Sequence, residues 1–147
     1  MIAALLVMLL FFVGGCGEKK EGGRKDIEFT VCDETRMPQE LLEIINEKKG
    51  KPFKLTYVNN NYLYIVIGYG EHDRKNLNVV VEDLYLTDKA IYVETNLLTS
   101  DMLKVEETHS GSDAENSGEI AAGTPSMYPY IVLKCEKYEL PVIFETD

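Results

Sequence analysis

The chain has no tryptophan and only two histidines, His72 and His109. Two imidazoles so far apart cannot supply the three or four ligands at helix or turn spacing that a zinc site uses, so no metal is expected. Gly-x-Ser-x-Gly nucleophile turns and long phosphate-cradling glycine loops are missing too. Gly68-Tyr69-Gly70 is too short to hold a nucleotide and reads as a bulge or strand end. His72 beside Asp73 reads as a solvated loop pair rather than an oriented base. No apolar run reaches the ~20 residues that carry a helix across ~30 Å of hydrocarbon. Positive charge is scarce, with 15 Lys and Arg against 25 Asp and Glu and a net charge of −10. Such a surface repels nucleic acid and anionic head groups, which excludes nucleic-acid binding and suits solubility outside a cell. There is no internal repeat. No catalytic residue and no cofactor follow from any of this.

What is present begins at the N-terminus. Residues 2–13 are apolar and uncharged, Gly14 and Gly15 follow, and then comes Cys16, with the charged stretch Glu18-Lys19-Lys20-Glu21 close behind. The run is too short for a spanning helix and has no polar face for a core helix. It reads as a secretory signal, although no Lys or Arg precedes it. A plain cleaved signal and a retained anchor are the competing readings. Val13-Gly14-Gly15-Cys16 resembles the bacterial lipobox. That resemblance implies cleavage before Cys16, a diacylglycerol on its sulfur and an extracytoplasmic chain held on the bacterial cell membrane. Each buried CH₂ of such a lipid contributes about 0.8 kcal/mol, so two or three chains anchor stably.

Residues 1–15 are therefore set apart as a signal peptide, 16–25 as a flexible glycine- and charge-rich linker, and 26–147 as one domain. With Cys16 acylated, Cys32 and Cys135 remain. An exported chain permits one disulfide between them; the alternative is two small buried hydrophobes. Alternation predicts a strand at 27–31. A helix is predicted at 38–49, with Pro38 at its first position, Lys48 and Lys49 in its last turn and Gly50 as its stop. Its stripe of Leu41, Leu42, Ile44 and Ile45 must pack on a sheet. A hairpin over 53–67 turns at Asn59-Asn60-Asn61. Strands follow at 77–86, 90–97 and 127–134, with a short edge strand at 141–144. The fold class is α+β, one helix on a mostly antiparallel sheet of six or seven strands.

Residues 99–124 break the rhythm. They carry Asp101, Glu106, Glu107, Asp113, Glu115 and Glu119 against Lys104, and read as a mobile acidic loop. Calcium held by Asp113 and Glu115 is the weaker reading, because the spacing is not that of an EF-hand. Nine tyrosines suit either a binding face or ordinary sheet packing. Those in or beside strands are Tyr57, Tyr62, Tyr64, Tyr69, Tyr128 and Tyr130.

The order of segments carries a resemblance. Residues 62–70, then Glu71, then 77–84, then Tyr128-Pro129-Tyr130-Ile131-Val132-Leu133-Lys134 resemble the C-terminal domain of PrcB-type protease-complex subunits, over about 80 residues. Where that family usually has a Pro-Thr-Gly-Gly-Tyr-like segment, this chain has Asp73-Arg74-Lys75-Asn76-Leu77. The resemblance implies a non-catalytic surface lipoprotein, an accessory or binding subunit for another exported protein such as a protease. The alternative is an envelope lipoprotein that binds a small ligand. Expected partner contacts are Glu71, His72, Asp73, Arg74, Tyr128 and Tyr130, together with the acidic segment.

Overall fold

A computed structural model describes residues 23–103 and 121–145. The signal peptide, Cys16, His109, Asp113 and Glu115 lie outside the described residues, as does most of the linker. The element order is β1 (Lys25–Asp26), β2 (Phe29–Val31), α1 (Gln39–Lys48), β3 (Pro52–Asn59), β4 (Tyr62–Tyr69), β5 (Leu77–Leu86), β6 (Ile91–Thr99), β7 (Tyr130–Glu136) and β8 (Val142–Phe144). The class is α+β, with antiparallel pairing dominant.

The expected single sheet of six or seven strands is instead two sheets of four, ordered β1-β5-β6-β8 and β2-β7-β4-β3. The physical reason lies in β4 and β7. Leu63, Ile65 and Ile67 of β4, with Ile131, Leu133 and Cys135 of β7, form one face, which packs on Val79, Leu84, Ile91 and Val93 of the other sheet. Tyr64, Val66 and Val132 form the opposite face, which packs under Leu41 and Ile45 of α1. A strand apolar on both faces needs a cover on each side. One helix supplies one cover, and the second sheet has to supply the other.

Helix α1 starts one residue later than its proline suggests. Pro38 is the N-cap, and its carbonyl accepts from Leu42 N–H at 3.1 Å. Gln39 to Lys48 are helical, with Glu40 early and Lys48 late, as the dipole favours. The β3–β4 hairpin turns on two residues between Asn59 and Tyr62, and Asn60 takes the positive φ of 54° that asparagine tolerates. β5 and β6 pair along their length with one register shift between Val81 and Asp83. β8 runs parallel to β6 at the sheet edge. Of the predicted strand at 27–31 only Phe29–Val31 is strand, as β2 on β7; Lys25–Asp26 just before it form β1 on β5, so the chain crosses from one sheet to the other at Ile27 and Glu28.

Two boundaries move. The linker ends before Lys25, because Arg24 is already fixed to Asp83 at 2.7 and 2.8 Å and Lys25 opens β1. The acidic loop is shorter than 99–124. Thr99 belongs to β6, and residues 121–126 run along the edge of β5, where Val81 N–H donates to the Ala121 carbonyl (3.0 Å), Gly123 N–H to the Val79 carbonyl (2.9 Å) and Ser126 N–H to the Leu77 carbonyl (3.0 Å). Composition marked these residues as loop, but backbone bonding does not depend on an apolar side-chain pattern.

The disulfide does not form. Cys32 and Cys135 are both free and buried. Cys32 belongs to the cluster beneath α1 and Cys135 to the cluster between the sheets. They sit on opposite faces of the same sheet, so their side chains point apart, and a bridge needs converging Cβ atoms. Burial raises the Cys135 thiol to about 11 and also raises that of Cys32. Both act as the small hydrophobes of the alternative reading.

Candidate functional site

The residues expected to meet a partner come together at one corner, with one exception. Glu71, Asp73 and Arg74 are exposed in the loop between β4 and β5, and His72 is half-buried there. The loop is braced against the approach to β7. Tyr69 N–H donates to the Pro129 carbonyl at 3.0 Å and His72 N–H to the Met127 carbonyl at 2.8 Å. Tyr128 donates its hydroxyl to Glu71 Oε1 at 3.3 Å. The His72 ring lies 3.1 Å from the Tyr69 carbonyl, turned onto its own loop. Gly70 carries a φ of +80°, and a Cβ there would meet Pro52 Cδ at 2.8 Å, so the chain can turn this corner only with glycine.

Helix α1 adds a cation. Lys49 Nζ lies 5.7 Å from the centre of the Tyr128 ring and donates to Asn46 Oδ1 at 2.8 Å. The corner thus gathers Lys49, Glu71 and Tyr128 from three separate stretches. Tyr130 is the exception. It faces the α1 side, where its hydroxyl donates to Glu34 Oε1 at 3.1 Å, and burial with that carboxylate raises its phenol well above the ordinary value.

The other tyrosines mostly pack. Tyr64 is buried and meets Tyr57 edge-to-face at 6.2 Å. Tyr69 reaches between the sheets and donates to the Thr95 carbonyl at 3.0 Å. Tyr62 remains 46 % exposed beneath Lys134, whose ammonium sits 3.9 Å from the ring centre.

At the opposite end lies a half-open cleft of about 1180 Å³. Thr30, Arg36, Tyr62, Lys134, Glu136 and Tyr138 are among its walls. Beside it Arg24 makes a two-pronged bond to Asp83 and lies 4.1 Å over the Tyr85 ring, which stacks on Tyr92 at 5.0 Å. Arg24 drew no notice in the sequence, where it sits among linker residues. No local signal in the sequence pairs it with Asp83, which stands 59 residues away.

The two ends are separated by β5. Its first residue, Leu77, follows the corner, and its last, Leu86, pairs with Lys25 next to Arg24. At ~3.3 Å per residue, this ten-residue strand holds them on the order of 30 Å apart.

No family model, curated protein or solved structure matches the chain. Among the described residues, no group of three or more His, Cys, Asp or Glu side chains is placed to hold a metal ion, and no helix is long and apolar enough to cross a membrane.

Proposed function

We propose that this chain is a non-catalytic lipoprotein of the bacterial cell surface, acylated at Cys16, that serves as an accessory or binding subunit for another exported protein, a protease in the reading its PrcB-like segments favour. The observation that carries this is the position of Arg24 relative to the corner. Arg24 ties the chain down at one end of β5, and the braced loop of Glu71, Asp73 and Arg74 stands at the other. Residues 17–23 reach at most about 25 Å when extended. A lipid on Cys16 would hold the Arg24 end near the membrane and turn the corner outward.

A loop already fixed by backbone bonds loses little freedom when a partner binds it, which favours binding. Co-anchoring two proteins on one membrane raises their effective concentration with no further contact. The domain then works as a tether with a presenting surface, and no bond in the partner is made or broken by it.

Two measurements test the reading. Intact-mass analysis of the membrane-extracted chain should show a mature N-terminal cysteine carrying diacylglycerol; an unmodified thiol on a chain free of membrane sinks the anchor. Cross-linking on intact cells should capture a stoichiometric exported protein with the native chain and far less with Glu71→Lys/Arg74→Glu. Equal capture by both chains removes the corner from the binding surface.

The cleft favours a second reading, capture of a small anionic or aromatic ligand beside Arg36, Lys134 and Tyr62. It predicts a raised melting temperature with such a ligand and none in Lys134→Ala.

A further inference from the structure

The two sides of the sandwich are finished differently. On one side β5 has β1 along one half of its outer edge and residues 121–126 along the other. The segment from β1 to β2 then crosses between the sheets. On the other side the edges are β8, three residues long, and β3, eight residues long. Among the described residues β3 pairs only with β4, through an eight-residue register with no shift. Its only proline, Pro52, is its first residue.

Which groups of β3 face outward follows from its turn. A two-residue hairpin makes Asn59 and Tyr62 a hydrogen-bonded pair, and alternate residues then bond to β4. Tyr69 bonds to the Pro129 carbonyl on the β7 side, which fits the same alternation along β4. Phe53, Leu55, Tyr57 and Asn59 therefore bond to β4, while Lys54, Thr56 and Val58 turn their N–H and C=O groups outward. Val58 is 50 % exposed. An open edge of this length is a template for another strand.

Charge says what kind of strand. Lys48, Lys49, Lys51 and Lys54 fall within seven residues that contain no acid, in a chain of net charge −10. Lys48 and Lys51 are exposed, at the corner end of β3. A second copy of this chain would bring another −10 against the first and be repelled. A strand with acidic residues beside Lys48 and Lys51 is attracted.

We infer that the outer edge of β3 receives an extended, acid-bearing segment of the partner protein, which adds as a fifth, antiparallel strand to the β2-β7-β4-β3 sheet. Main-chain bonds to Thr56 and Val58 supply binding, and Lys48 and Lys51 choose the segment and its direction. Antiparallel pairing sets the C-terminal end of the segment beside Lys51. This rests on the reading that the chain binds an exported protein.

The full chain, held in detergent, is titrated with an eight-residue peptide of alternating valine and threonine that ends in two glutamates. A matched peptide ends in two lysines. The glutamate peptide should slow amide exchange at Thr56 and Val58 by at least about tenfold. It should bind at least about fivefold more tightly than the lysine peptide. Thr56→Pro removes one outward donor and leaves the β4 ladder whole, so it should abolish the protection. Lys48→Glu/Lys51→Glu, which changes only exposed side chains, should invert the preference between peptides. Unchanged exchange at these two amides with both peptides overturns the inference. So does protection that grows with protein concentration alone, which would mean that copies pair with one another. Cellular capture of a partner that survives both variants overturns the β3 edge and leaves the accessory function standing. Peptide binding at the edge with no partner captured in cells upholds the edge and removes the function.

Discussion

Adding one methyl group at Gly68 tests how the open hairpin is packed. Gly68 faces Phe53 directly in the β3–β4 register. A Cβ at Gly68 would lie 2.2 Å from Phe53 Cε1, 2.6 Å from Cδ1 and 3.0 Å from Cζ. The ring lies across the glycine backbone and fills the space that a side chain would take. Gly68→Ala must drive the ring off that position, a cost typical of overpacking, about 1–3 kcal/mol. The clash is purely steric, because alanine suits a strand at least as well as glycine does. In a Phe53→Ala background the obstacle is gone, and Gly68→Ala should cost nothing or stabilise slightly. The coupling energy should therefore exceed about 1 kcal/mol. Urea unfolding of the four chains reads this as a change in midpoint at constant slope. The single substitution should also lower the melting temperature by roughly 2–4 °C per kcal/mol. Equal cost in both backgrounds would refute the contact and, with it, the packing of β3 on β4.

Other perturbations probe the layers. Ile65 is fully buried between the sheets, and Ile65→Ala should cost about 2–5 kcal/mol in urea midpoint, with a loss below 1 contradicting a two-sheet core. Cys32 and Cys135 should resist alkylation in the native chain and react only after unfolding, and a reductant should leave the melting temperature unchanged; stabilisation lost on reduction would restore the disulfide. Because burial holds the Cys135 thiol at about 11 against an ordinary 9.0, the unfolded chain gives up that proton first. The associated stability is complete below pH 9.0 and declines toward pH 11, by on the order of 2–3 kcal/mol. Cys135→Ala should flatten the loss over that interval, and an unchanged slope argues against the buried thiol. Asn78→Ala leaves the Gly123 carbonyl without its 2.8 Å donor and should cost about 1–3 kcal/mol, with faster exchange at Gly123 and Ser126 as the local readout.

Local pattern made much of this fold legible. The helix was written in Pro38, its apolar stripe and Gly50, and the β3–β4 hairpin in two alternating runs around three asparagines. Pairings between distant stretches were not. Alternation says which side chains are covered but not by what, and so Ile65 and Val66 could not reveal that one faces a sheet and the other a helix. The course of the chain through β5, β6 and then β7 was hidden for the same reason. Of the candidate site, the Glu71 to Arg74 loop and Tyr128 were readable as polar groups beside strands. Tyr130 was misplaced because it already lies inside β7 while Tyr128 lies in the bend before it, so the rule that residues two apart in a strand share a face does not reach from one to the other. Arg24 and residues 121–126 lay in stretches whose composition says linker, and only long-range bonds to Asp83 and β5 give them structure.

Asn78 holds one further consequence. Its amide nitrogen donates to the Gly123 carbonyl, and its amide oxygen accepts from Ser100 Oγ at 3.0 Å. One buried side chain thus couples the end of β6 to the segment that borders β5. Loosening either partner should be felt at the other, so amide exchange at Ser100 and Gly123 should quicken together when the asparagine is replaced.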